Sequence, residues 1–180
     1  MKFIILDRDG VINHDSDNFI KTIDEWVPIP GSIEAIARLK ENNFKIAVVT
    51  NQSGIARNYY KKSTLFAMHD KFRRLLANEG AKVDAIFFCP HGPNDACSCR
   101  KPATAMYRNA EKLLNTSLKN SYTVGDSYRD LEAAITVQSK PILVKTGKGE
   151  KTLREKYREL ESKQIPVYDN LTSFVDNLLK

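Results

Sequence analysis

Residues 3–11 read Phe-Ile-Ile-Leu-Asp-Arg-Asp-Gly-Val, and the rest of the chain is organised around this stretch. Its apolar first half, which contains two β-branched residues, predicts a short strand buried on both faces. Asp7 and Asp9 follow at the carboxyl end of that strand, where two carboxylates repel each other unless a cation lies between them. Ligands of open α/β sheets bind beyond the carboxyl ends of the strands. We therefore interpret residues 7–9 as a candidate Mg²⁺ and phosphate site, the alternative being a strand followed by an acidic turn.

The composition is that of a soluble globular protein. The chain has 180 residues, of which 42% are hydrophobic and 28% charged, and this length suits a single domain over residues 1–180. No apolar run is long enough for a signal peptide or a membrane span, so we expect a cytoplasmic protein without a membrane partner. The net charge of +6 is compatible with anionic partners, but Lys and Arg are dispersed, and we expect a monomer that does not bind nucleic acid.

Predicted strands and helices alternate along the whole chain. The predicted strands are residues 3–6, 45–49, 83–88, 122–124, 141–144 and 166–168. Between the early strands, Ser32 is expected to cap a helix, and Ser63 or Thr64 the next one, with His69 on the solvent face of that second helix. Pro102 is expected to open a third helix. The alternation predicts a doubly wound, Rossmann-like parallel sheet with right-handed crossovers and no large cap domain.

Polar side chains follow four of these strands. They are Asp7 and Asp9, then Thr50 and Asn51, then Arg100 and Lys101, and finally Asp126 and Asp130. Parallel strands bring such ends to one edge of the sheet, which places carboxylates for a divalent cation beside hydroxyl and cationic groups for a phosphate. One carboxylate can attack phosphorus to form an acyl phosphate, and a second, two residues on, can act as general acid and then base. The set therefore indicates phosphate ester hydrolysis.

A second cluster lies between residues 89 and 99. It contains Cys89, His91, Cys97 and Cys99, and so holds every Cys of the chain. Three thiolates and one imidazole form a complete tetrahedral Zn²⁺ set that leaves no open position for water, so we expect a structural zinc. The alternative is a redox-active or incidental cysteine cluster.

The motifs D-x-D-G-V, T-N, K-P and G-D-x-x-x-D resemble, in this order, the four signature motifs of the haloacid dehalogenase-like phosphatases. The resemblance implies that Asp7 is the nucleophile and Asp9 the general acid/base. It implies that Thr50 and Lys101 bind phosphate. It also implies a magnesium ion held by Asp7, Asp126 and the backbone carbonyl of Asp9, with Asp130 in a supporting position.

The segment C-x-H…C-x-C-R-K-P is more specific, and is similar to the subgroup that contains heptose bisphosphate phosphatases and histidinol-phosphate phosphatases. Residues 50–57, T-N-Q-S-G-I-A-R, also resemble the heptose enzymes. This sequence differs from many heptose enzymes in two respects. Its zinc loop is shorter, and Ser127 stands where some of them carry Lys. Together the two segments give the expected substrate-binding residues, which are Thr50, Asn51, Gln52, Ser53, Arg57, Arg100 and Lys101.

We expect the substrate to be a phosphorylated sugar, and specifically the 7-phosphate of D-glycero-D-manno-heptose 1,7-bisphosphate to be hydrolysed. Arg57, Arg100 and Lys101 carry more positive charge than one phosphate needs, and a bisphosphate supplies a second anionic group. The alternative is histidinol phosphate, for which acidic or aromatic side chains in the polar segment 13–26 would be partners. A more remote alternative is a non-catalytic nucleic-acid-binding protein.

Overall fold

Six parallel strands form one sheet in the computed structural model, which describes residues 2–180. In chain order they are β1 (Lys2–Leu6), β2 (Phe44–Asn51), β3 (Ala85–Cys89), β4 (Tyr122–Gly125), β5 (Lys140–Val144) and β6 (Val167–Tyr168). Their spatial order is β3-β2-β1-β4-β5-β6. The direction of the chain across the sheet therefore reverses at β1, and the carboxyl end of β1 is the point at which doubly wound sheets bind ligands.

Helices cover both faces of the sheet. They are α1 (Ser32–Glu41), α2 (Lys62–Asn78), α3 (Ala105–Leu113), α4 (Tyr128–Thr136), α5 (Gly149–Glu155), α6 (Tyr157–Ser162) and α7 (Leu171–Leu178). α1, α2 and α7 pack on one face, and α3 and α4 on the other. The predicted doubly wound α/β fold is confirmed.

The side chains of β1 explain why this strand is central. Ile4 and Leu6 point into the core beneath α1 and α2, whereas Phe3 and Ile5 point into the core beneath α3 and α4. All four are buried, as expected for a strand with helices on both faces. Leu6 pairs in register with Val48 of β2 and Val124 of β4, which fixes residues 7–9 beside the ends of both neighbouring strands.

Three helix starts differ from the sequence-based expectation. Ser32 is the first residue of α1, not its cap, because its buried hydroxyl donates to the carbonyl of Ile12 at 2.7 Å. α2 begins at Lys62, and no side chain caps it. α3 begins at Ala105, three residues after Pro102, and no side chain caps it.

The connection between β1 and α1 is an irregular segment, residues 7–31, and the described part of the chain shows no inserted cap domain there. The longest helix, α2, has 17 residues. None of the helices within residues 2–180 has both the length and the apolar character needed to cross a bilayer.

Candidate active site

A cavity of about 230 Å³ opens at the carboxyl ends of β1 and β2. Asp7, Asp9 and Asp126 supply carboxylates to its wall. Its basic lining groups are Arg8, Arg57, Arg100, Arg129 and Lys148. Acidic and basic side chains thus meet in one cavity, as the strand-end clusters predict.

Lys101 is buried beside this cavity and joins Asp7, which lines it, to Asp130, which does not. Its side chain is 1% exposed, and its Nζ lies 2.9 Å from Asp7 Oδ1 and 2.6 Å from Asp130 Oδ1. It also donates to the carbonyl of Val49 at 2.8 Å. Two carboxylates and one carbonyl oxygen thus surround the ammonium group. The expected phosphate binder is in this structure the counter-ion of Asp7 and Asp130.

Asp130 belongs to the same buried group through the start of α4. Its Oδ2 accepts hydrogen bonds from the backbone N–H of Ser127 at 3.1 Å and from the Ser127 hydroxyl at 2.7 Å. Burial alone would raise the pKa of Asp130, but Lys101 and Arg129 outweigh it and hold this pKa below its usual value. Asp130 is therefore an anion whose charge is balanced by Lys101, and its supporting role in the site stays a prediction.

Asp7 and Asp126 are less well compensated. Burial raises the pKa of Asp7 to about 6, although Lys101 opposes this shift. Burial, together with repulsion from Asp7 and Asp130, raises the pKa of Asp126 well above its usual value. One carboxylate oxygen from each of Asp7, Asp126 and Asp130 lies within 4.8 Å of the others. Two under-neutralised buried carboxylates fit a hard divalent cation such as Mg²⁺, with Asp7 and Asp126 as the available ligands because Asp130 is already partnered.

Two glycines allow the chain to approach Asp126 this closely. A Cβ atom added at Gly10 would lie 2.1 Å from Asp126 Oδ2, and one at Gly147 would lie 2.3 Å from the same atom. Both glycines have positive φ, of 84° and 60° respectively, which side chains disfavour. The backbone N–H of Lys148 then donates to Asp126 Oδ2 at 2.7 Å. The loop after β5 therefore fixes the Asp126 carboxylate at the cavity.

Asp9 differs from Asp7 because its carboxylate is surrounded by donors. Arg8 Nη2 donates to both carboxylate oxygens at 2.9 Å, and Arg8 Nε donates to Oδ1 at 3.1 Å. Asn13 and Gln52 each add a hydrogen bond of 2.8 Å. Burial would raise the pKa of Asp9, but Arg8 and these hydrogen bonds hold it below its usual value.

The side chains that follow β2 have unequal roles. Asn51 pairs with the backbone of Lys101, accepting from its N–H at 3.0 Å and donating to its carbonyl at 3.2 Å, so Asn51 anchors the segment that carries Lys101. Gln52 donates to the hydroxyl of Thr50 at 2.9 Å. Thr50, Asn51, Gln52 and Ser53 all line the cavity, and their contact with substrate stays a prediction.

Part of the polar segment 13–26 forms a wall of the cavity. Asp15 and Asp17 line it, and Lys148 Nζ lies 3.0 Å from Asp15 and 3.7 Å from Asp17. The guanidinium of Arg57 lies over the Phe19 ring, 5.7 Å from its centroid. Trp26, which the sequence offered as a substrate contact, is instead 0% exposed and packs against Phe72.

The four expected zinc ligands lie together beside the cavity. Their ligand atoms are all within 4.8 Å of one another, with Cys89 Sγ 3.8 Å from Cys97 Sγ and 3.5 Å from His91 Nδ1. Cys99 Sγ lies 2.9 Å from Cys89 Sγ, closer than the roughly 3.8 Å between two sulfurs of a tetrahedral zinc site with bonds of about 2.3 Å. The chemistry of the donor set, three thiols and one imidazole, fits this metal, and Cys99 would move outward to bind it. Arg100 follows Cys99 directly and donates to the carbonyl of His91 at 3.2 Å, which connects the Cys/His loop to the cavity wall.

Sequence reasoning missed several residues of this site. His69 was expected on the solvent face of α2, but it is 3% exposed, and its Nε2 lies 3.4 Å from Arg8 Nη1. Burial lowers the pKa of His69 to about 3, with repulsion from Arg8 adding to this shift. Arg8, Arg129 and Lys148 were also missed, although Arg8 separates the two acids of the first motif and Arg129 lies inside the last one.

The sequence and fold agree with known proteins. Family models match residues 4–79, described as haloacid dehalogenase-like hydrolase, and residues 98–174, described as HAD hydrolase-like. Together with the full-length relatives described next, they establish that the chain belongs to the haloacid dehalogenase-like hydrolases.

Relatives from several bacteria carry the name D-glycero-beta-D-manno-heptose-1,7-bisphosphate 7-phosphatase. The protein from Pseudomonas putida is 50% identical over 179 residues, covering 99% of this chain and 100% of the relative. The protein from Bordetella bronchiseptica is 53% identical over 155 residues, covering 86% of this chain and 87% of the relative. A crystal structure of D,D-heptose 1,7-bisphosphate phosphatase from B. bronchiseptica, complexed with magnesium and phosphate, aligns with a TM-score of 0.93 at 48% identity, covering 99% of this chain and 98% of that one.

Proposed function

We propose that this chain is a Mg²⁺-dependent phosphatase that removes the 7-phosphate of D-glycero-β-D-manno-heptose 1,7-bisphosphate. The observation that carries the proposal is the match over nearly the whole chain, at 50% identity, to a relative named for this activity. The cavity supports it, because Asp7, Asp9 and Asp126 line it together with five basic side chains, Arg8, Arg57, Arg100, Arg129 and Lys148.

The proposed reaction uses two carboxylates in sequence. An Asp7 oxygen attacks phosphorus, the bond between phosphorus and the sugar oxygen breaks, and Asp9 gives its proton to that oxygen. Asp9 then takes a proton from water as the water attacks phosphorus, and the bond to Asp7 breaks to release phosphate. Mg²⁺, held by Asp7, Asp126 and the backbone carbonyl of Asp9, supplies positive charge that neutralises the phosphoryl oxygens. Thr50 and Lys101 support the phosphoryl group from the protein side.

A second phosphate has partners at the cavity rim. Arg57, Arg100 and Arg129 line the cavity without any carboxylate ion pair among the described residues, and Arg57 and Arg129 both lower the pKa of Arg100 by repulsion, after burial. Three neighbouring guanidinium groups favour an anionic ligand. The excess charge lies on these arginines, since Lys101 is neutralised by Asp7 and Asp130. Asn51, Gln52 and Ser53 are proposed to contact the sugar.

The same arrangement argues against histidinol phosphate. Its imidazole and ammonium groups would need acidic or aromatic partners in the segment 13–26. Asp15 and Asp17 there are paired with Lys148, and Trp26 is inaccessible. Phe19 lines the cavity, but the guanidinium of Arg57 lies over its ring. We therefore keep the sugar bisphosphate as the substrate.

The remaining parts of the proposal concern the zinc and the setting of the enzyme. A structural zinc held by Cys89, His91, Cys97 and Cys99 would fix the segment that presents Arg100 and Lys101. We further propose a monomeric, single-domain enzyme that acts in the cytoplasm on a small molecule, without a membrane or nucleic-acid partner.

The deciding experiment is phosphate release from a panel of phosphomonoesters. It compares kcat/KM for both anomers of D-glycero-D-manno-heptose 1,7-bisphosphate, histidinol phosphate and heptose 7-phosphate, each with Mg²⁺ and with EDTA. We expect the β-anomer of the bisphosphate to be preferred and Mg²⁺ to be required. A preference for histidinol phosphate would overturn the substrate, and unchanged turnover in EDTA would overturn the metal dependence.

A further inference from the structure

Arg8 has a side chain that the turn after β1 does not need. The hydrogen bonds that shape this turn use the backbone carbonyl of Arg8, which accepts from the N–H groups of Val11, Ile12 and Asn13. The side chain of Arg8 contributes nothing to them. It is nevertheless 1% exposed, and burying a guanidinium is costly unless its charge is well paired.

The buried guanidinium is directed at one carboxylate. Nη2 lies 2.9 Å from both oxygens of Asp9, and Nε lies 3.1 Å from Oδ1. Asn13 and Gln52 donate to the same carboxylate from other directions. Three side chains thus converge on this one carboxylate. The orientation of Asp9 is therefore fixed before a ligand arrives.

The guanidinium of Arg8 also contacts two residues other than Asp9, which are His69 and Gln52. Its Nη1 lies 3.4 Å from Nε2 of His69, a buried imidazole on α2. Its Nη2 also donates to Gln52 Oε1 at 3.0 Å, and the same oxygen accepts from the hydroxyl of Tyr60 at 2.6 Å. His69 does not line the cavity. Its contact can therefore influence Asp9 only through Arg8.

We propose that Arg8 is a positioning residue, which together with His69 orients the Asp9 carboxylate so that its proton reaches the leaving-group oxygen. The inference rests on the proposed function, in which Asp9 is the general acid of the first half-reaction. Asp9 takes up its proton from solvent as the anionic phosphate enters, because negative charge beside a carboxylate favours its protonated form. The bond from phosphorus to the alcohol oxygen then breaks while the bond from phosphorus to Asp7 forms, and the Asp9 proton moves to the alcohol oxygen. A misdirected Asp9 slows this step without removing the nucleophile.

The test uses the dependence on the leaving group. A sugar alkoxide needs a proton as it departs, whereas p-nitrophenolate is stable as an anion and does not. kcat/KM includes only steps up to the first irreversible one, which here is phosphoryl transfer to Asp7. Because general acid catalysis contributes about 10²–10⁴-fold, we expect Arg8→Lys to lower kcat/KM for the heptose bisphosphate by about 30-fold or more. For p-nitrophenyl phosphate we expect a loss below about threefold, since that substrate needs no proton from Asp9.

The control is Ser139→Ala, which removes a buried hydroxyl bonded to Ser121 and Thr123, away from the cavity. It should leave the ratio of the two kcat/KM values at the wild-type value. Equal losses of Arg8→Lys on both substrates, or no loss on the sugar substrate, would overturn the proposal.

His69→Leu provides a second variant in case Arg8→Lys does not fold. It should shift the ratio of kcat/KM values in the same direction by a smaller factor, and an unchanged ratio would overturn the proposal. If the wild-type enzyme does not hydrolyse the heptose bisphosphate, the proposed substrate fails, and the ratio is then measured with the best alkyl phosphate of the panel. The two failures are thereby separated.

Discussion

Replacing Lys101 with Met should destabilise the fold more than any single surface change. Lys101 is the shared counter-ion of Asp7 and Asp130, whose side chains are 11% and 1% exposed. Met has a similar length but no charge. The variant therefore leaves two buried carboxylates without their cation and the carbonyl of Val49 without its donor.

The magnitude follows from the burial of these partners. Removing one member of a buried ion pair costs about 3–5 kcal/mol, since the remaining charge stays buried and uncompensated. Urea unfolding, followed by the fluorescence of the single tryptophan, Trp26, measures the loss in free energy of unfolding. With a slope of about 2 kcal/mol/M, the midpoint in EDTA should fall by about 2 M.

Lys151→Met is the matched control, because Lys151 is 66% exposed and lies 3.8 Å from Glu155. Its free energy of unfolding should stay within about 0.5 kcal/mol of the wild-type value. A free energy of unfolding of Lys101→Met within about 1 kcal/mol of the wild-type value would contradict this reasoning. The ionic contacts of Lys101 with Asp7 and Asp130 would then contribute little to stability.

Three further outcomes are expected. Asp7→Asn should fold normally but lose steady-state phosphate release, because an amide is a poor nucleophile; near-normal release by purified protein would exclude attack by Asp7. Cys99→Ser should lower the zinc content, measured by elemental analysis, and the melting temperature, whereas the exposed neighbour Ser98→Ala should change neither; unchanged zinc in Cys99→Ser would refute this ligand set. Burial raises the pKa of Asp7 to about 6, so the folded state holds a proton that the unfolded state releases. In EDTA, the contribution of Asp7 to stability, measured as the difference in free energy of unfolding between wild type and Asp7→Asn, should therefore be fully present below about pH 4 and be lost as pH rises through 6, and saturating Mg²⁺ should remove this loss.

The sequence predicts the fold well where apolar pattern decides it. The run from Phe3 to Leu6 has no polar interruption, and only a strand between two helical layers buries all of it. The order of strand-end motifs also places Asp7 and Asp126 correctly, because parallel strands end at a common edge. The predicted starts of the helices were less accurate. Ser32 has the chemistry of a cap, but its hydroxyl finds the carbonyl of Ile12, a partner from a distant segment.

Sequence spacing does not predict which charged side chains contact each other inside the site. His69 occupies a helix position that spacing alone assigns to solvent, yet the turn after β1 brings Arg8 against it. Arg8 occupies the unspecified position of the D-x-D motif, and the motif does not predict that its side chain contacts Asp9. Lys148 lies in a glycine-flanked loop without a nucleotide-binding pattern, and only the fold brings it to Asp15.

Lys101 illustrates how an accurate motif assignment leaves the physical role undetermined. Its position predicts a phosphate contact, but its ammonium donates to Asp7, Asp130 and the carbonyl of Val49. An incoming phosphoryl group must therefore compete with Asp7 for one donor. Under the proposed reaction this competition has a direction. As Asp7 attacks, its negative charge moves onto the phosphoryl oxygens. The attraction of Lys101 to Asp7 therefore weakens, and its attraction to the phosphoryl oxygens grows as the bond forms. Positive charge placed where negative charge develops favours the transition state over the ground state, and a lysine already held in place by Asp130 provides it without reorganisation.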